Sequence, residues 1–168
     1  MRCNANRSFG FCRHAAVASL ALLTLAVSAH ADTASQRRAY VERLEGICKP
    51  GVEATQRAVK GVKSDVQAER LAVAAAKLAK AAHIFDGTVA RISGVRRPAI
   101  DATQLNKWFD YLRLQQSYLA RAAASLRAER IASYQRNAVR FVHNGNKAND
   151  VVIAFGFNYC RFNFRRFN

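Results

Sequence analysis

The residues best suited to chemistry are few. Past residue 31 the chain holds two histidines, His83 and His143, and two cysteines, Cys48 and Cys160, while Cys3 and Cys12 lie near its start. His83 and Asp86 stand three apart on one helical face and could both touch a metal. A stable site needs further ligands at fitting geometry, so a surface or core-edge histidine is the simpler reading. No Glu-x-x-His pair of the di-metal bundles and no Cys-x-x-Cys-His haem attachment occurs, and neither a glycine-rich phosphate loop nor a Gly-x-Ser-x-Gly elbow is present. Ser117 and Ser125 read as ordinary helix residues. No catalytic residue, metal ligand or cofactor is therefore assigned, because nothing places an acid, a base and a nucleophile together.

The other candidate chemistry is cationic. Residues 161–167, RFNFRRF, interleave arginine with phenylalanine, a composition suited to base stacking or a membrane interface. The structural alternative has the phenylalanines covering a core while the arginines stay in water, and it is the preferred one. Trp108 and Phe109 are read in the same way, as core rather than as a ligand shelf.

Such residues need a scaffold, and the sequence favours helix nearly everywhere: alanine abounds and Pro50 and Pro98 are the two prolines. A first helix over 35–62 is expected, with Tyr40, Leu44, Ile47, Cys48, Thr55, Val59 and Val62 at near-helical spacing, kinked or restarted at Pro50. Ser64-Asp65-Val66-Gln67 reads as a capping box opening a second helix that runs to about residue 93, where Gly94 can take a left-handed conformation and Pro98 blocks resumption. Its face is Leu71, Ala74, Leu78, Ala82, Phe85, Val89 and Ile92.

Asp101-Ala102-Thr103-Gln104 resembles a second capping box, with Ile100 stapled on Leu105. Leu105, Leu112, Leu119 and Leu126 then recur every seven residues, the seam of a helix packed lengthwise on neighbours. A turn near 127–130 is inferred from the need to fold back; without it one helix would run from 101 to about 144, far above the usual length. The fourth face is Ile131, Tyr134, Ala138, Phe141, Val142, Ala148, Val152 and Phe155, with Asn144-Gly145-Asn146 as a candidate break. From Gly156 the chain reads as an extended tail across the bundle. The expected fold is all-α: an antiparallel up-and-down four-helix bundle with an extended C-terminal tail.

Residues 1–31 have the pattern of a cleavable signal peptide. Arg2, Arg7 and Arg13 precede an apolar run over 15–29, and Ala29-His30-Ala31 puts small residues before a cut at Asp32. The run is shorter than the ~20 residues that span a bilayer. What remains, 32–168, suits one domain.

The whole chain carries a net charge of +16, and residues 111–168 hold ten bases against two acids. A field of that sign favours anionic envelope polymers or lipid head groups, with nucleic acid also open, or simply keeps an exported protein soluble. Arg113, Arg121, Arg127, Arg136, Arg140, Arg161, Arg165 and Arg166 are the candidate polyanion contacts.

The stretches YVERLEGICK (40–49), NKWFDYL (106–112) and NGNKANDVVIAFGFNYCR (144–161) resemble those of a group of small exported helical proteins, mostly actinobacterial and of unknown function. The likeness covers most of 36–164 and implies a cysteine near the start paired with one near the end, but no activity. Independently, leader removal takes away Cys3 and Cys12, and an oxidising compartment favours a Cys48–Cys160 disulfide over an intermolecular bridge or free thiols.

The leading expectation is thus a non-enzymatic envelope protein binding a polyanion; the alternatives are a bundle carrier of an apolar ligand lined by Trp108, Phe109 and Phe85, and an enzyme of unrecognised type. Oligomeric state is left open.

Overall fold

The computed structural model describes the backbone of residues 15–163 and the side chains of residues 33–163. Arg2, Arg7, Arg13, Cys3 and Cys12 near the start, and Phe164, Arg165 and Arg166 near the end, lie outside the described residues. The chain divides into two compact units, 1–36 and 37–168. In the first, the described backbone is helical throughout.

The helices are α1 (Ala15–Val59), α2 (Val62–Gln67), α3 (Leu71–Ser93), α4 (Ala102–Arg127) and α5 (Ile131–Val151), with single 3-10 turns at Ala99–Asp101 and Ile153–Phe155. Four are long and pack up and down, and no strand occurs among the described residues. The all-α bundle is as expected; after Gly156 the described chain is non-helical, with bends at 158–161.

α4 is the central staff. Its heptad leucines Leu105, Leu112, Leu119 and Leu126 are all buried, as are Trp108 and Phe109. The core has two parts. One is built from large side chains, with Tyr40, Leu44, Cys48, Val89, Ile92, Trp108, Phe109, Val152, Phe155 and Phe157 packed together. The other is alanine-rich, with Ala74, Ala75, Ala82, Ala122 and Ala123 around Leu78, Leu119 and Leu126. Phe85 packs against both.

Several local expectations are corrected. α1 continues through Pro50 without a restart. One residue on, Gly51 brings α1 against α3: a Cβ there would lie 2.3 Å from Thr88 Oγ1. Tertiary packing thus holds the helix across the hydrogen bond that proline removes.

The second helix is two. Ser64 does not cap: its hydroxyl donates to Gly61 O at 2.9 Å, and Gly61, at φ 81°, supplies the left-handed residue that separates α1 from α2. Asp65 turns instead to Arg70 (2.7 Å) and Lys77 (2.5 Å). The chain then breaks at 68–70, with Glu69 left-handed at φ 57°.

Gly94 ends α3 in a right-handed conformation, and no side chain caps α4. Ile100 is 70% exposed and staples nothing, while the Asp101 carboxylate takes two bonds from Arg37, at 2.9 and 2.5 Å. Asn144-Gly145-Asn146 does not interrupt α5; Asn144 is buried and its Nδ2 donates to Tyr111 O on α4 at 2.7 Å. Phe155 belongs to a 3-10 turn rather than to the fourth helix or to extended chain.

The turn between α4 and α5 falls where expected, at 128–130. It repeats the 68–70 turn. Ala68-Glu69-Arg70-Leu71-Ala72 and Ala128-Glu129-Arg130-Ile131-Ala132 nearly share a sequence, and both glutamates are left-handed. Each turn closes with the paired bonds of a Schellman motif: Arg70 N to Asp65 O and Glu69 N to Val66 O, then Arg130 N to Ser125 O and Glu129 N to Leu126 O.

Candidate binding cleft

The first half of α5 never closes on α1. Ile131, Tyr134, Ala138, Phe141 and Val142 are only half-buried, whereas Asn144, Gly145 and Ala148 further along are buried. The facing stretch of α1, residues 51–56, is likewise half-buried. Between them lies a cleft of about 930 Å³ that reaches down to α3 and α4, with Phe85, Leu112, Leu119 and Phe141 among its apolar walls. Its volume is in the upper part of the range for small-molecule sites. Among the described residues no acid lines it, and Lys60, Lys63 and Arg161 lie along it together with His143.

Among the polar lining residues of the described chain, Gln115 is the buried one. Gln115 on α4 is 1% exposed, and its Nε2 has no hydrogen-bond partner. It sits beside Gly145 of α5, where a Cβ would lie 2.7 Å from that nitrogen and 2.5 Å from the Phe162 ring. The bare glycine lets the amide and the Phe162 ring pack against the α5 backbone. Tyr134 also lines the cleft, and burial raises its pKa above the ordinary tyrosine value.

The C-terminal segment roofs one end of the cleft. Phe162 meets Phe141 edge-on with ring centroids 5.3 Å apart. Asn149 holds it through two backbone bonds, Nδ2 to Phe162 O at 2.7 Å and Phe162 N to Oδ1 at 2.8 Å. The Glu45 carboxylate accepts the successive amides of Asn158, Tyr159 and Cys160 at 2.9–3.0 Å. A disulfide joins Cys48 to Cys160, with Cα atoms 5.1 Å apart. Phe155 stacks on Phe157 and Phe157 on Trp108, at 5.6 and 5.4 Å. The phenylalanines therefore seal the core and Arg161 stays exposed.

At the other side of α4 lies Phe109. Arg97 covers its ring, with the guanidinium carbon 4.4 Å from the centroid. Phe109 is thus absent from the cleft, a correction to the expected lining, whereas Phe85 and Trp108 do contribute to it. Nearby, the buried Tyr40 hydroxyl has no partner. Burial pushes its pKa up to about 12, although the charge and the donor groups of Arg97 pull the other way.

The candidate polyanion residues are scattered rather than converged. Arg113, Arg121, Arg127, Arg136, Arg140 and Arg161 are all exposed, with Arg113 paired to Asp110 and Arg136 bonded to Ser133. Arg136 and Arg140 do align with His143 and Lys147, at i, i+4, i+7 and i+11, as an exposed stripe on α5. The last two were not among the polyanion candidates read from sequence. His83 and Asp86 are exposed on α3, and among the described residues no three His, Cys, Asp or Glu side chains gather to hold a metal ion.

These features define a class: a disulfide-closed, all-α domain with an apolar, cation-rimmed cleft. No family model, curated protein or solved structure matches the chain.

Proposed function

We propose that this is an exported, non-enzymatic carrier that takes an apolar ligand into the cleft between α1 and α5. The observation that carries the reading is the cleft itself: a bundle of this size ordinarily closes such a space with side chains, yet here about 930 Å³ stays open along walls of leucine, valine and phenylalanine. Burial of a ligand there would be driven by apolar surface leaving water. Export rests on the arginine-led apolar leader with its cut before Asp32, and the Cys48–Cys160 bridge suits an oxidising compartment. The likeness to small exported helical proteins in the 40–49, 106–112 and 144–161 stretches points the same way.

The test is uptake of the fluorescent apolar probe N-phenyl-1-naphthylamine by the protein. Saturable enhancement that Ala138→Trp, a cleft-filling change, abolishes is the expected result. No enhancement at any concentration would sink the carrier.

A second reading has its own observation. The α5 stripe Arg136, Arg140, His143 and Lys147 lies beside the cleft and fits an anionic envelope polymer or lipid surface. Because phosphate neutralisation releases counterions, such binding should weaken steeply with salt. Co-sedimentation with anionic vesicles at two ionic strengths decides it, and absence of binding at low salt removes it.

A further inference from the structure

We propose that Gln115 is a ligand-recognising residue of the cleft, and that the ligand is an apolar molecule bearing an uncharged carbonyl oxygen. The inference rests on the carrier reading and specifies its cargo. The Gln115 amide is almost wholly withdrawn from solvent, its Nε2 is unpartnered, and it belongs to the cleft wall. A buried donor left unpaired is destabilising, and native proteins keep few of them. The position is also expensive in sequence terms, since it falls between Leu112 and Leu119 on the packing seam of α4, where an aliphatic residue would be the ordinary choice.

The surroundings select the acceptor. Nε2–H is a donor, so the partner must present a lone pair. Leu112, Leu119 and Phe141 line the same cleft without a carboxylate, and the exposed cations Lys60, Lys63 and Arg161 stand on its rim. An anionic group driven down to Gln115 would lose its hydration with only one neutral donor in return. A ketone, ester or amide oxygen incurs a far smaller desolvation penalty and accepts the bond fully. Gly145 lets the amide and the Phe162 ring pack side by side, because any side chain there would press on both Nε2 and that ring.

A matched pair of ligands isolates the effect: 2-acetylnaphthalene and 2-ethylnaphthalene share a skeleton and differ in a carbonyl against a methylene. Water-to-oil transfer favours the ethyl compound, so a preference for the ketone has to come from a donor in the site. Each is titrated against N-phenyl-1-naphthylamine bound to the protein. The expected result is about tenfold tighter binding of the ketone by the native protein, the size of one good hydrogen bond made to an otherwise unpaired donor. Gln115→Met, which keeps the length and removes the donor, should erase that preference while leaving the ethyl compound's affinity within about twofold.

Equal affinity for both ligands in the native protein would overturn the assignment and leave the carrier standing, as it would if the amide were served by water. A ketone preference that survives in Gln115→Met would place the donor elsewhere and equally overturn it. Failure of the probe and both naphthalenes to bind would instead remove the carrier reading and the inference with it. The native-protein comparison needs no variant, so a misfolded Gln115→Met cannot hide the answer.

Discussion

Glu45 and Cys160 are joined twice over. The Glu45 carboxylate accepts the Cys160 amide at 3.0 Å, and one helical turn further along α1 the Cys48 sulfur is bonded to the same residue. The non-helical end of the chain is thereby fixed to the first helix by a covalent bond and by a cluster of three amides on one carboxylate.

Replacing both cysteines by alanine should lower stability by up to about 4 to 5 kcal/mol on the chain-entropy account, with real bridges often giving less. Glu45→Gln keeps the side chain's length but weakens bonds to a charged acceptor, and should cost about 1 to 2 kcal/mol. Urea unfolding of each variant measures both. A Glu45→Gln protein as stable as the native one would show that the carboxylate contributes nothing to the latch.

Gly51→Ala should destabilise even though alanine favours helix by about 1 kcal/mol. The new methyl would meet Thr88 Oγ1, Cγ2 and Cβ at 2.3, 2.9 and 3.1 Å, so no rotamer of Thr88 clears it. Combining it with Thr88→Ala should recover most of the loss, which a double-mutant cycle in thermal unfolding would quantify.

Glu69→Gly and Glu129→Gly should each stabilise. A left-handed residue with a Cβ costs about 1 to 2 kcal/mol, and glycine's greater unfolded freedom returns about 0.5 to 1 of that. A net gain of about 0.5 kcal/mol per site is expected, visible as a higher melting temperature. Glu69→Ala, which keeps the Cβ, should show no such gain.

Asp65 makes acid stability testable. Hydrogen bonds from Lys77 and then Arg70 hold its carboxyl below the usual aspartate range. A depressed folded-state pKa contributes stability above the unfolded value of about 3.9, and that contribution is lost as pH falls through the lower folded value. Asp65→Asn should therefore flatten the acid limb of the stability curve below about pH 4 while lowering stability at neutral pH. An unchanged acid limb would refute the role.

Tyr40 acts at the opposite extreme. Its folded pKa of about 12 lies above the unfolded value of about 10, so the unfolded chain releases the proton first. Stability should fall as pH rises from 10 towards 12, and Tyr40→Phe should remove that part of the decline. Tyrosinate absorbance at 295 nm should show one tyrosine in the native protein titrating last.

Much of this architecture was legible because it follows from local periodicity. The leucines of α4 repeat every seven residues and are buried, and the α4–α5 turn fell where folding back required it. What local rules misread were residues recruited by distant partners. Ser64-Asp65 and Asp101 look like helix caps, yet Asp65 answers to Lys77 twelve residues on and Asp101 to Arg37, 64 residues back. The break at 68–70 was missed because glutamate is not a turn former; the repeated Ala-Glu-Arg was the available clue. The cleft left a weaker trace, a single amide, Gln115, on an otherwise apolar seam. Cleft width depends on how far α5 stands from α1, a distance that no single-helix pattern encodes.

The Cys48–Cys160 bond also has a topological meaning. It closes into a ring the chain between two residues 112 positions apart, so once it exists the polypeptide can no longer pass through a narrow pore as a single file of residues; two strands would have to go abreast. If the chain is threaded across a membrane, the sulfurs must meet on the far side. Thereafter a single proteolytic nick anywhere inside the ring leaves one covalent molecule, not two fragments.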